Sequence, residues 1–82
     1  MNTKIIRKWF CMSQSEFAKY FNISVGTVKN WDARHSLSAY LQNLFFYTLY
    51  CEYVEKITLT EFNNQKELIE NLFKCGFIKV NE

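Results

Sequence analysis

Proline is absent from the chain, glycine occurs only as Gly26 and Gly76, and the single histidine is His35. Without proline or glycine clusters no linker is marked. There is no internal repeat and no low-complexity tract, so residues 1–82 read as one compact domain. The three cysteines, Cys11, Cys51 and Cys75, are odd in number and form no Cys-x-x-Cys pair. With one histidine beside them, they do not offer the ligand spacing of a zinc site. No metal and no cofactor is expected, and the thiols read as reduced, small apolar side chains. Serine, histidine and aspartate occur, but nothing orders them into a nucleophile and its base, so an enzyme is not expected.

Long apolar runs are also missing. A bilayer span needs about 20 consecutive apolar residues. The longest candidate, "LFFYTLYCEYV", is shorter and carries Thr48 and Glu52. The opening "MNTKIIRKWF" has no apolar signal core and no cleavage site. The chain therefore reads as cytoplasmic, with no membrane partner.

Apolar residues make up 49% of the chain and aromatics 18%. A domain this small buries only roughly 60% of its unfolded surface. The core can therefore be dense, and aromatics left over on the surface favour a homodimer. The net charge of +2 conceals an asymmetry. Residues 1–34 carry Lys4, Arg7, Lys8, Lys19, Lys29 and Arg34 against Glu16 and Asp32. Residues 35–82 carry four lysines against six glutamates. A basic half joined to an acidic half suggests one face that meets an anion.

Helical spacing dominates. Ile5, Ile6, Trp9, Phe10 and Met12 recur at helical intervals, with Thr3 as a cap and Lys4, Arg7 and Lys8 on another face. Ser13 with Glu16 three residues on forms a capping box. Phe17, Ala18 and Phe21 are the stripe of the helix that follows. In "NIS", Asn22 tolerates a left-handed backbone, Ile23 plugs the corner, and Ser24 caps a third helix over about 25–33. Val28 and Trp31 are its inward residues. Ser38 caps a long fourth helix over about 39–56, with Leu41, Leu44, Phe45, Leu49 and Tyr53 inward. Tyr40, Phe46, Tyr47 and Tyr50 divide between core and dimer face. "KITLTEF" alternates and reads as a strand or an extended linker. Asn64 with Glu67 then starts a last helix with the stripe Leu68, Ile69, Leu72 and Phe73, stopped at Gly76. "FIKV" beyond it can return as a short strand. The fold expected is all-α, a small bundle of four to five helices with a helix-turn-helix. Residues 1–56 form a four-helix core and 57–82 an extension, with room for a short C-terminal β pair between 57–62 and 77–80.

The small Ala18 lets the second and third helices cross closely, the geometry of a helix-turn-helix. "SQSEFAKYFNISVGTVKNW" resembles the helix-turn-helix of the Cro-like phage repressor (XRE) family. The shared features are Gln14 opening the second helix, the Phe17–Ala18 pair, the apolar residue before the turn, and an apolar–Ser pair at the next helix start. Val28, Trp31 and the acidic Asp32 complete the pattern. The resemblance is strong over residues 13–34, extends weakly over 1–56, and does not cover 57–82. Two positions depart from the family: Asn22 stands where glycine is common, and Gly26 where a base reader often sits.

The outward residues of the third helix are expected to be Val25, Gly26, Thr27, Lys29, Asn30 and Ala33. Asparagine can bond an adenine edge in two places, and the methyls of Thr27 and Val25 can meet a thymine methyl. Gly26 permits close approach. Lys29 and Arg34 suit phosphates, and Gln14 at a helix N-terminus suits one too, as the resemblance implies. With Ser24, these form the expected DNA-binding set: Gln14, Ser24, Val25, Gly26, Thr27, Lys29, Asn30 and Arg34. The function expected is a sequence-specific regulator binding double-stranded operator DNA, an inverted repeat, as a homodimer: a small phage, plasmid or mobile-element repressor. The C-terminal segment offers a contact for a protein partner. An antitoxin, an anti-CRISPR-associated regulator, or a non-regulatory phage DNA-handling or protein-interaction module are the alternatives, because short helical hairpins also occur in proteins that bind no DNA.

Overall fold

The computed structural model describes residues 2–34 and 37–80. They form five helices and no strand: α1 (Thr3–Trp9), α2 (Gln14–Phe21), α3 (Val25–Arg34), α4 (Ala39–Tyr53) and α5 (Leu59–Lys74). The "RHS" break falls mostly on His35 and Ser36, which lie outside the described residues, as does any role for His35.

Each helix begins on a polar side chain that accepts a first-turn amide. Ser13 and Glu16 make the expected reciprocal box, with Glu16 N donating to Ser13 Oγ at 3.0 Å and Ser13 N to Glu16 Oε1 at 2.9 Å. Ser24 Oγ accepts from Thr27 N at 3.1 Å and Ser38 Oγ from Leu41 N at 3.3 Å. The first helix corrects its expectation. Asn2 is the cap, taking Ile5 N at 3.0 Å, while Thr3 is buried and its hydroxyl turns toward α3.

Three helices end alike. The chain turns left-handed at Cys11 (φ 56°), Asn22 (φ 56°) and Gly76 (φ 78°). At each, the following amide reaches back five residues: Met12 N to Arg7 O, Ile23 N to Ala18 O and Phe77 N to Leu72 O, all at 2.9 Å. Glycine and asparagine suit this backbone. Cys11 is the exception and carries a conformational cost of about 1 kcal/mol.

The core is aromatic. Phe46 sits at its centre, with ring centroids 5.3 Å from Trp9, 6.1 Å from Phe10, 5.1 Å from Phe62 and 5.6 Å from Phe73. Ile6, Phe17, Val28, Leu49 and Ile69 are among the residues buried with it. The α4 stripe meets its expectation in part, with Leu49 buried and Leu44 and Phe45 half-buried. Phe46, Leu49 and Tyr50 are buried, whereas Leu41 and Tyr53 are exposed and Tyr40 is 70% exposed. This helix is apolar on nearly every side, so spacing alone does not say which side faces in. It also stops at Tyr53, three residues short of the expected end.

The last third differs most. "KITLTEF" is neither strand nor simple linker. Ile57 ends the connection, its carbonyl accepting from Tyr47 Oη at 2.9 Å and Cys51 Sγ at 3.4 Å. Thr58 then caps α5, accepting from Glu61 N at 3.1 Å. The helix therefore starts five residues before Asn64, which lies exposed within it beside an exposed Glu67. Starting early brings Phe62 into the core, where Phe46, Tyr47 and Tyr50 surround it. Burying a phenylalanine outweighs the weak two-residue alternation. Ile69 and Phe73 are buried as expected, but Leu68 is exposed. With residues 59–62 helical, "FIKV" has no strand to pair with. It returns as irregular chain, burying Val80 and half-burying Ile78.

Thr58→Ala is expected to cost about 1 kcal/mol of unfolding free energy in urea melts, the usual cost of a lost cap. Asn64→Ala should be neutral or slightly stabilising, because it replaces an exposed mid-helix asparagine. The reverse ranking would place the helix start at Asn64.

Candidate nucleic-acid interface

The turn between α2 and α3 is three residues, Asn22 to Ser24. Phe17 and Ala18 of α2 and Val28 of α3 are buried, and Ile23 packs in the corner between the helices. Trp31 is half-buried, its ring 5.8 Å from that of Phe45 on α4.

What sets the rotation of α3 is Asp32. Its side chain is 7% exposed and pairs with Arg7 of α1, whose side chain is 14% exposed. Asp32 Oδ2 accepts from Arg7 Nη2 at 2.6 Å, Arg7 Nε at 3.2 Å and Gln14 Nε2 at 3.0 Å. Oδ1 accepts from Thr3 Oγ1 at 2.7 Å. Arg7 Nη1 also donates to the Met12 carbonyl at 3.0 Å, tying down the α1–α2 connection. One carboxylate thus joins α1, α2 and α3. Burial pushes the Asp32 carboxyl up, but hydrogen bonds from Gln14, Thr3 and Arg7, with the charge of Arg7, outweigh it and hold the group below its ordinary value.

With Asp32, Val28 and Trp31 turned in, the opposite side of α3 is fixed by helical geometry. Gly26, Lys29, Asn30, Ala33 and Arg34 are all exposed, at the i, i+3, i+4, i+7, i+8 spacing of one face. This stripe brings together four of the expected site residues: Gly26, Lys29, Asn30 and Arg34. A Cβ on Gly26 would meet nothing within 4 Å, so its surface is open.

The other four sit differently. Val25 is half-buried and packs on the core, so the outward position expected for it is corrected. It is one turn before Val28 and shares its side. Thr27 is half-buried, and its hydroxyl lies 2.7 Å from that of Ser24. Ser24 is exposed but engaged as the cap. Gln14 is half-buried and gives one amide N–H to Asp32, which leaves its second N–H and its oxygen. Arg7, which spacing puts on one face with Lys4 and Lys8, is in an ion pair with Asp32. That pair spans 25 residues, and no local pattern announces it. The acid beside Trp31 and a basic residue amid an apolar segment were its only traces.

Among the described residues no group of three or more His, Cys, Asp or Glu is placed to hold a metal ion, and no helix is long and apolar enough to cross a membrane. Comparison of the chain with protein-family models, with curated proteins and with solved structures returns no match.

A carboxyl held below its ordinary value contributes stability above the unfolded value of about 3.9, and loses it as pH falls through the lower folded value. Asp32→Asn is therefore expected to cost about 3 kcal/mol at pH 7, where it leaves Arg7 without its counter-charge. The gap to wild type should narrow as pH drops below about 4. Urea melts at pH 7, 5 and 3 measure it, and a gap that stays constant would show that Asp32 acts by shape rather than charge.

Proposed function

We propose that the protein is a sequence-specific regulator of transcription that binds double-stranded DNA through α3, in the manner of the Cro-like repressors its residues 13–34 resemble. The observation that carries this reading is the exposed stripe of α3. It has an open glycine, one asparagine, one alanine and two cations, and it is held in a fixed rotation by Asp32. A helix kept only for packing has no use for so firm an anchor beneath a polar, small-residue outer face. In the groove, Asn30 reads an adenine edge, Gly26 and Ala33 allow close approach, and Lys29 and Arg34 meet phosphates. With Val25 packed inward, methyl contact with thymine rests on Thr27 and Ala33.

A lone module of this size makes few contacts. A homodimer reading two half-sites about one turn apart supplies the rest. The exposed Tyr40, Leu41 and Tyr53 on α4 are candidates for that contact. Binding of this kind places the protein in the cytoplasm with its DNA. Phe77, 80% exposed in the C-terminal segment, favours a second reading in which the same DNA reader also holds a protein partner, as an antitoxin does.

The test is a mobility shift on DNA upstream of its own gene, with salt varied, beside selection from a random DNA pool. Asn30→Ala should cost roughly 1–3 kcal/mol on the selected site, relax preference at one or two base pairs, and leave the melting temperature unchanged. Lys29→Ala should weaken selected and random DNA alike and reduce the salt slope by about one unit.

Gly26→Ala separates folding from binding. The added methyl meets nothing, so the fold should gain up to about 1 kcal/mol of helix propensity. DNA affinity should fall, because the methyl intrudes where the duplex approaches. A more stable variant that binds as well as wild type would remove Gly26 from the interface.

A further inference from the structure

A groove of about 590 Å³ runs between α1, the end of α5 and the chain that follows it. Its floor is apolar and includes Ile5, Trp9, Phe73 and Ile78. Trp9 and Phe73 lie stacked there, ring centroids 5.2 Å apart and planes 13° from parallel, with Trp9 half-buried and Phe73 buried, so the aromatic wall is mainly Trp9. Lys8, Lys74 and Lys79 line the same groove, and among the described residues no carboxylate does. No described carboxylate lies within 4.0 Å of any of the three ammonium groups.

Three exposed cationic side chains beside an apolar floor give the groove a positive potential next to an apolar surface. A surface shaped only for solubility intersperses both signs. Here the glutamates of α5 are not among the lining residues. A ligand that complements both features has an apolar body and an anionic head.

We propose that this groove binds an amphiphilic carboxylate, a small molecule whose apolar body lies on the Trp9–Phe73 wall and whose carboxylate meets Lys8, Lys74 and Lys79. The volume falls within the roughly 300–1,000 Å³ typical of small-molecule sites. The returning chain forms one wall, with Val80 buried and its carbonyl 3.7 Å from Cys11 Sγ. An apolar body and a single anionic head satisfy the lining that the described residues supply. None of the lining residues belongs to α2 or α3, so the proposal stands apart from the reading of the protein as a DNA binder.

The experiment is amide chemical-shift mapping of the ¹⁵N-labelled protein, with affinities from the same titrations. Decanoate supplies a linear body and 4-phenylbutanoate an aromatic one, with decanol and acetate as controls lacking the charge and the body. At least one of the two carboxylates should saturate at one per chain and shift amides of α1 and residues 73–80. Decanol and acetate should bind at least about tenfold more weakly, the loss expected when a charge-assisted contact or the apolar contact is removed. Which carboxylate binds more tightly identifies the body the wall prefers. The double variant Lys8→Gln, Lys79→Gln should lose about tenfold or more in affinity with an unchanged melting temperature, since both side chains are exposed. Four results would overturn the proposal. They are no saturable shift with either carboxylate at millimolar concentration, equal binding of decanol, equal binding by the double variant, or shifts of the same amides with protein concentration alone, which would mark a second copy as the occupant. A capped acidic pentapeptide carrying one tryptophan serves as a further arm, and tighter binding by it than by either carboxylate would overturn it in favour of a protein partner.

Discussion

The ion pair between Asp32 and Arg7 is the constraint on which the arrangement of the first three helices depends. An amphipathic helix packed by Val28 and a half-buried Trp31 alone could roll by a side chain's width. A carboxylate that takes four hydrogen bonds, from two other helices, cannot roll without leaving a guanidinium and a carboxylate short of partners in a largely dry place. Replacing such a network with well-packed apolar side chains is often neutral for stability, so its value here is better understood as direction. It sets which residues of α3 point out. Since Gln14 and Thr3 join it, the start of α2 and the start of α1 are set at the same time.

Beneath that polar anchor the domain relies on rings. Phe46 touches aromatic side chains from α1 and α5 at once, and Phe45, one residue earlier, stacks against α2 and α3 through Phe17, Phe21 and Trp31. Adjacent residues on α4 therefore serve opposite halves of the molecule. An all-round apolar α4 makes that possible, and it also explains why Tyr40, Leu41 and Tyr53 remain at the surface. A domain of this size has too little interior to bury every aromatic residue it carries.

The charge asymmetry acquires a different meaning in three dimensions. Of the basic residues in the first 34, Arg7 is consumed internally. Lys29 and Arg34 lie on the outer face of α3, while Lys8 lies in the groove shared with Lys74 and Lys79 of the acidic half. Two cationic surfaces result, built from different helices, where the linear sequence suggests one.

Local chemistry was legible from sequence alone. The Ser13–Glu16 box, the left-handed Asn22, the caps at Ser24 and Ser38, the stop at Gly76 and the bounds of α2 and α3 all rest on contacts spanning a few residues, and short-range patterns encode them well. The exposed positions Gly26, Lys29, Asn30 and Ala33 followed from the same periodicity. Tertiary packing decided the rest. The phase of α4 depended on which neighbours came to cover it. The start of α5 depended on Phe62 finding a place among Phe46, Tyr47 and Tyr50, a gain that no alternation of threonine and leucine reveals. The inward turn of Val25 depended on the core it packs against, and the commitment of Thr3, Arg7 and Gln14 to Asp32 joined residues 18 to 29 positions apart along the chain. A sequence states which groups need partners. Only the folded chain, by bringing distant groups within 3 Å of one another, settles which partners they get.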